Sequence, residues 1–261
     1  MIKTILFFLF VVLVGFGAYW FYMHKESSLQ GPQAVTTSTP VSVKIKLLDV
    51  HKKEGDNSMG YLIDLTYPQV SGIPQAAADA VNKKIEEFVT TNTVAFKANA
   101  EDSKKEKDLP GSEFRMDYTL TALNDKILSL EFNVYEYRKG AAHPNSLVHG
   151  FNYDVKNNRV VNTLQDVFVP GSNYLQTISD FSRTDLKEQL KENISSDESF
   201  EEGTAPKAEN FQEFVLTTHG LKLIFNPYQI GPYALGGRTV LIPYEQLKDM
   251  LPAGSFLLNF K

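Results

Sequence analysis

The residues able to do chemistry fall into two short clusters. The first is Tyr135-Glu136-Tyr137-Arg138-Lys139-Gly140-Ala141-Ala142-His143-Pro144-Asn145-Ser146, where an aromatic run meets three small residues and then a histidine. Small residues let one backbone pass close to another, and Pro144 holds the residue before it extended. A rigid loop of this kind presents His143 and Asn145 to a partner. The same residues also suit a tight loop whose histidine is satisfied by a carbonyl or carboxylate. The second cluster is Phe225-Asn226-Pro227-Tyr228-Gln229-Ile230-Gly231-Pro232-Tyr233-Ala234-Leu235-Gly236-Gly237, with two Pro-Tyr pairs five residues apart. Pro227, Gly231 and Pro232 would set the loop's shape. Tyr228 and Tyr233 offer large contact area at small entropic cost, which suits recognition. They equally suit pinning the loop to a sheet through satisfied hydroxyls.

The templates of catalysis are missing. No H-E-x-x-H, G-x-S-x-G, G-x-x-x-x-G-K-[ST] or G-x-G-x-x-G pattern occurs in the chain. The histidines are His24, His51, His143, His149 and His219, and no two are three or four residues apart, so no helical metal pair forms. His143 and His149 bracket Ser146, but no strained turn or third group completes a nucleophile–base set. Zero cysteines exclude disulfides, thiolate zinc, iron–sulfur clusters and a cysteine nucleophile. The expectation is a chain without metal or cofactor. With 26 Lys+Arg against 31 Asp+Glu the net charge is -5, so no basic excess points to nucleic acid. Nine acidic residues and four basic ones between 183 and 213 account for that excess. They read as a solvated helix and loop face, or as a patch for a basic partner.

The elements that must carry these clusters follow from hydrophobic period. The 261 residues, 43% apolar and 22% charged, supply an ordinary core. Alternation predicts strands at 41–47, 59–67, 114–123, 127–135, 147–155, 159–162, 210–217, 221–225 and 239–242. A polar loop is expected over 52–58, and Pro68 is expected to end the second strand. Helices are expected at 76–98, 172–193 and 243–250, and a mobile loop at 195–206. Short hairpins, such as that at Asn124-Asp125-Lys126, join consecutive strands. The fold class is therefore α+β with a largely antiparallel sheet or sheets.

Residues 5–23 are an uncharged run of 19, roughly 28 Å as a helix, which matches the hydrocarbon core of a bilayer. Lys3 before it and Trp20 and Tyr22 near its end favour an anchor with the N-terminus inside and the remainder outside. A cleaved signal peptide is the alternative. The division expected is a stub at 1–4, the anchor at 5–23, a small-residue polar linker at 24–40, a strand-rich first half at 41–140 and a second half at 141–261.

Gly-Ala-Ala-His-Pro after an aromatic strand, then Phe-Asn-Pro-Tyr-Gln-Ile-Gly-Pro-Tyr-Ala and Ile242-Pro243-Tyr244-Glu245-Gln246-Leu247, resembles the extracytoplasmic region of RsiV-type anti-sigma factors. It equally resembles the accessory domain in front of PdaC-type peptidoglycan deacetylases. The resemblance implies an α+β module outside the cell that binds rather than transforms. Its partner would be lysozyme or a cell-wall glycan (peptidoglycan), with His143, Asn145, Tyr228 and Tyr233 as contacts. The RsiV-type sigma-binding segment has no counterpart before residue 5, nor the PdaC-type metal-dependent domain after 250, so no sigma factor is expected as a partner. The rival from another class is a cell-wall hydrolase using Glu131, Glu136 or Asp154, which requires carboxylates about 5 to 9 Å apart.

Overall fold

The computed structural model describes residues 45–56, 58–102, 111–191 and 198–259. The apolar run at 5–23 and the linker at 24–40 lie outside them. None of the described helices is long and apolar enough to cross a membrane.

A six-stranded sheet runs in chain order: β1 (Lys46–Asp56), β2 (Tyr61–Ser71), β3 (Ser112–Leu123), β4 (Ile127–Tyr137), β5 (Asn145–Asp154) and β6 (Arg159–Val160). Between β2 and β3 the chain makes α1 (Gln75–Asp102). Its buried positions Val81, Ile85, Val89, Phe96 and Ala100 recur every four or seven residues along one face. They pack on Ile63, Leu65, Phe114, Met116, Leu130 and Phe132. Because this helix returns the chain to the starting end, β2 and β3 pair in parallel, while every other pair is antiparallel.

The second layer begins with α2 (Tyr174–Leu190) and the short α3 (Glu198–Gly203). Then come β7 (Phe214–Leu216), β8 (Gly220–Phe225) and β9 (Arg238–Pro243), and finally α4 (Tyr244–Leu247). β7–β8–β9 form an antiparallel sheet. Its core draws in Ala122 and Ile127 from the ends of β3 and β4. Residues 127–132 of β4 are buried on both faces, one against α1 and the other against this second sheet.

Several sequence expectations are corrected. Most of 52–58 is strand, because the turn is confined to the carboxylate of Asp56, which accepts the N–H groups of Ser58 (2.7 Å) and Met59 (3.0 Å). Pro68 does not end β2. The N–H of Val70 goes to Asn82 of α1 at 2.7 Å, so N–H groups of that parity point away from β1. β3 pairs with β2 only as far as Leu65, so the N–H that Pro68 lacks removes no ladder bond. Residues 198–203 are helical rather than loop: Phe200 is buried, and Arg183 donates to the Thr204 hydroxyl (2.9 Å) and the Glu201 carbonyl (2.9 Å). The strand expected at 210–217 shrinks to Phe214–Leu216 after a 3-10 turn at Ala208–Phe211, and the last helix to Tyr244–Leu247 plus a 3-10 turn.

Candidate recognition site

β5 is the strand on which the site is built. One edge pairs with β4 throughout, but the other meets β6 only at Tyr153 and Asp154. Side chains from the second layer occupy the rest of that edge. Asn226 accepts from the Val148 N–H (2.8 Å) and donates to its carbonyl (3.1 Å), as a neighbouring strand would. Glu213 accepts from the Gly150 N–H (2.9 Å) and from His149 Nδ1 (2.8 Å). From β5 itself, Asn152 accepts from Leu216 N–H (2.9 Å) and Ser129 hydroxyl (2.8 Å) and donates to the Phe214 carbonyl (2.9 Å). Gly150 allows this approach, since a Cβ there would lie 2.0 Å from the Phe214 carbonyl oxygen.

These bonds place the two clusters side by side. The loop leaving β8 at Phe225 is tied down by Ile230, which is buried in the second core, and by Gln229, which donates to the Asn210 carbonyl at 2.8 Å. Pro232 to Gly236 then makes a 3-10 turn, Tyr233–Leu235. His143 stacks on Tyr233 with ring centres 3.9 Å apart and planes 22° from parallel. Tyr228 lies 5.5 Å from Tyr233. The Tyr233 hydroxyl donates to the Pro144 carbonyl (2.7 Å), which also faces His143 Nδ1 at 3.0 Å. A carbonyl can only accept, so Nδ1 carries the proton. In the neutral ring His143 Nε2 is then the acceptor for the Tyr228 hydroxyl at 3.1 Å.

Three of the four candidates thus form one cluster, and both pinning and exposure occur in it. Tyr233 and His143 are half-buried and hydrogen-bonded. Tyr228 is 59% exposed, and its backbone sits at φ 72°, in the left-handed region. Asn145 is exposed at the start of β5, opposite Glu136, and makes no side-chain hydrogen bond among the described residues.

The carboxylates of the hydrolase reading are engaged elsewhere. Glu131, nearly buried, meets Lys222 of β8 at 2.7 Å. Glu136 meets Arg138 at 2.6 Å, and Asp154 accepts from Asn157 at 2.9 and 2.7 Å. Asp154 pairs opposite Ile127, four residues from Glu131, and Glu136 is five residues further along β4. At about 3.3 Å per residue the Cα of Glu131 stands roughly 13 Å along the sheet from Asp154 and roughly 17 Å from Glu136, and Asp154 and Glu136 are roughly 30 Å apart. Among the described residues no group of three or more His, Cys, Asp or Glu is arranged to hold a metal.

Asn152, Glu213, Asn226 and Lys222 were not singled out in the sequence. The only local signal was at Asn226, an Asn before Pro at the end of a strand. Their partners lie 62 to 91 residues away in every case but one, the Ser129 bond of Asn152.

Residues 54–146 match the family described as "Deacetylase PdaC", and residues 165–245 match "Protein of unknown function (DUF3298)". Over 186 residues the chain is 27% identical to the peptidoglycan-N-acetylmuramic acid deacetylase PdaC of Bacillus subtilis (strain 168). That match covers 71% of this chain and 39% of that protein. Among solved structures, a DUF3298 family member from Bacteroides fragilis superposes with a TM-score of 0.58 at 21% identity, over 84% of this chain and 97% of that one. A DUF3298 protein from Pseudomonas aeruginosa gives 0.53 at 17%, over 80% and 94%. At these identities the two structures show a shared fold. His143 falls in the first matched region and Tyr228 and Tyr233 in the second, so the cluster is made where the two meet.

Proposed function

From a chain that joins a PdaC-type region to a DUF3298 region, we propose a non-enzymatic recognition module of the bacterial cell wall. It is held outside the membrane by the apolar run at 5–23, and it grips peptidoglycan through the His143–Tyr228–Tyr233 surface with Asn145 at its margin. The observation that carries this reading is Tyr228. An exposed tyrosine in left-handed backbone costs about 1 to 2 kcal/mol, a cost that glycine would avoid. The ring is thus kept at an energetic loss to folding, and strain of that kind gathers at binding sites. Stacked aromatic faces beside hydrogen-bonding groups are the chemistry that holds a sugar ring. The B. subtilis relative is named for action on peptidoglycan, which fits a module that delivers its bearer to that polymer.

A protein partner of the lysozyme type receives less support. Its encounter would be steered by acidic side chains of 198–202. Glu201 is paired with Arg183 (3.1 Å) and Lys187 (4.0 Å), and Glu202 with Lys207 (2.5 Å), so much of that charge is neutralised locally. Co-sedimentation with purified peptidoglycan tests the proposal. The wild-type chain should pellet with the polymer, and Tyr228→Gly should remain in solution while melting no earlier. A wild-type chain left in the supernatant would overturn it.

A further inference from the structure

The second layer covers only part of the six-stranded sheet's second face. Beyond it, β3 and β4 point Arg115 and Asp117, and Asn133 and Tyr135, away from α1; pairing sets Arg115 opposite Tyr135 and Asp117 opposite Asn133. The ends of β8 and β9 overhang this strip, enclosing a groove of about 520 Å3. Pro227 and Gly237 line its other wall, so the groove runs up to the Tyr228–Tyr233 loop.

The charges in the groove are not equivalent. Arg115 is held by Glu113, Nε to Oε1 at 2.6 Å, and lies 5.3 Å over the Tyr135 ring. Asp117 accepts from Asn133 at 2.7 Å. Arg238, opening β9, donates from Nη1 to the Gly237 carbonyl at 3.0 Å, and among the described residues no carboxylate lies within 4.0 Å of it. A guanidinium left without a counter-charge at the mouth of a largely apolar groove suits a planar anion. Asp117 would repel an anion at its own end, and instead suits hydroxyl or amide donors, as Asn133 suits their acceptors.

We propose that this groove binds the N-acetylmuramic acid of a glycan strand from which the stem peptide has been removed, with Arg238 on the freed lactyl carboxylate and the Asp117–Asn133 pair on the ring substituents. The assignment rests on the glycan reading above and names the sugar that the groove selects. Calorimetry on the full-length chain tests it with two tetrasaccharides. One is built of N-acetylglucosamine alone; the other alternates it with N-acetylmuramic acid whose lactyl carboxylate is free. The acidic tetrasaccharide should bind about five- to tenfold more tightly, a difference that shrinks with added salt. Arg238→Gln should abolish the difference and Arg238→Lys restore part of it, with binding of the neutral sugar unchanged. Equal affinity of the wild-type chain for both sugars overturns the groove assignment and leaves the glycan reading standing. Binding of neither overturns both. Displacement of the acidic sugar by an unglycosylated stem peptide at equal concentration would assign the anion to peptide and overturn the saccharide.

Discussion

Tyr228 and Tyr233 carry the same side chain on one loop, yet the structure predicts opposite consequences for removing them. The Tyr233 hydroxyl donates to the Pro144 carbonyl at 2.7 Å, in a half-buried position. Phenylalanine there removes the bond but leaves that carbonyl its second donor, His143 Nδ1 at 3.0 Å. The loss should be about 1 kcal/mol, which for a domain of this size is about 2 to 4 °C in melting temperature. Tyr228→Phe removes a bond to His143 Nε2 that water replaces at an exposed site, so stability should move by less than about 0.5 kcal/mol. Tyr228→Gly goes further. It relieves about 1 to 2 kcal/mol of left-handed strain at φ 72° and returns about 0.5 to 1 kcal/mol through the more flexible unfolded chain. The net is an unchanged or slightly raised melting temperature, together with loss of peptidoglycan binding. Thermal melts and sedimentation on the same four proteins decide the matter. Two results would refute the reasoning: a Tyr228→Gly chain that melts several degrees lower, making the ring a structural pin, or one that still pellets with peptidoglycan.

Asn152→Ala strands the Leu216 N–H, the Phe214 carbonyl and the Ser129 hydroxyl, and should cost about 3 kcal/mol by urea unfolding; a loss under about 1 would mean that the two sheets are not stitched there. Gly150→Ala forces a Cβ to within 2.0 Å of the Phe214 carbonyl oxygen and should destabilise by about 2 to 4 kcal/mol in the same assay. Burial pushes the Asp166 carboxyl up, but hydrogen bonds from Thr163 and the Arg159 guanidinium outweigh it and leave it below the usual carboxylate range. Its contribution is therefore present above that range and lost as pH falls through the lowered value, so Asp166→Asn should flatten the acid limb of a melting-temperature profile. Burial first, then the neighbouring Asp49 carboxylate, push Tyr118 up to about 12. The phenol stays protonated in the fold after unfolded tyrosines ionise, so its contribution is lost as pH rises from the ordinary value toward 12. Tyr153 and Tyr244 are pushed up by burial as well, so a 295 nm titration should show several late phenols, of which Asp49→Asn brings one earlier.

What was legible in the sequence was what local pattern dictates. Alternation located β3, β4 and β5 to within a few residues, because each buries alternate side chains against α1. Pattern failed where a partner distant in sequence supplied the missing physics. Pro68 stays within β2 because Asn82, not a strand, takes the neighbouring N–H. The helix at 198–203 exists because Arg183 and Ser179 bond its end, the latter to the Thr204 carbonyl at 2.6 Å, in a stretch whose composition alone reads as solvated. The parallel β2–β3 pair required knowing that α1 crosses over the sheet. His143, Tyr228 and Tyr233 were legible as residue types, but their meeting was not: the bonds that join them span 85 and 89 residues.

That separation bears on what the site is. The His143 loop is fixed by the β4–β5 hairpin, and the tyrosine loop by Ile230 and Gln229 in the second layer, so each is anchored in its own layer before the Tyr233 hydroxyl reaches the Pro144 carbonyl. Their relative position is set by the polar stitches along the β5 edge: Asn226 on Val148, Glu213 on Gly150 and Asn152 on β7. Directional bonds of this kind fix register more narrowly than apolar contact, which tolerates sliding. A 1 Å slip of the second layer would break the stack of His143 on Tyr233 while leaving both cores buried. The stitches therefore specify the surface as much as they hold the fold. Their loss should be felt first as weakened recognition, in a chain that still folds.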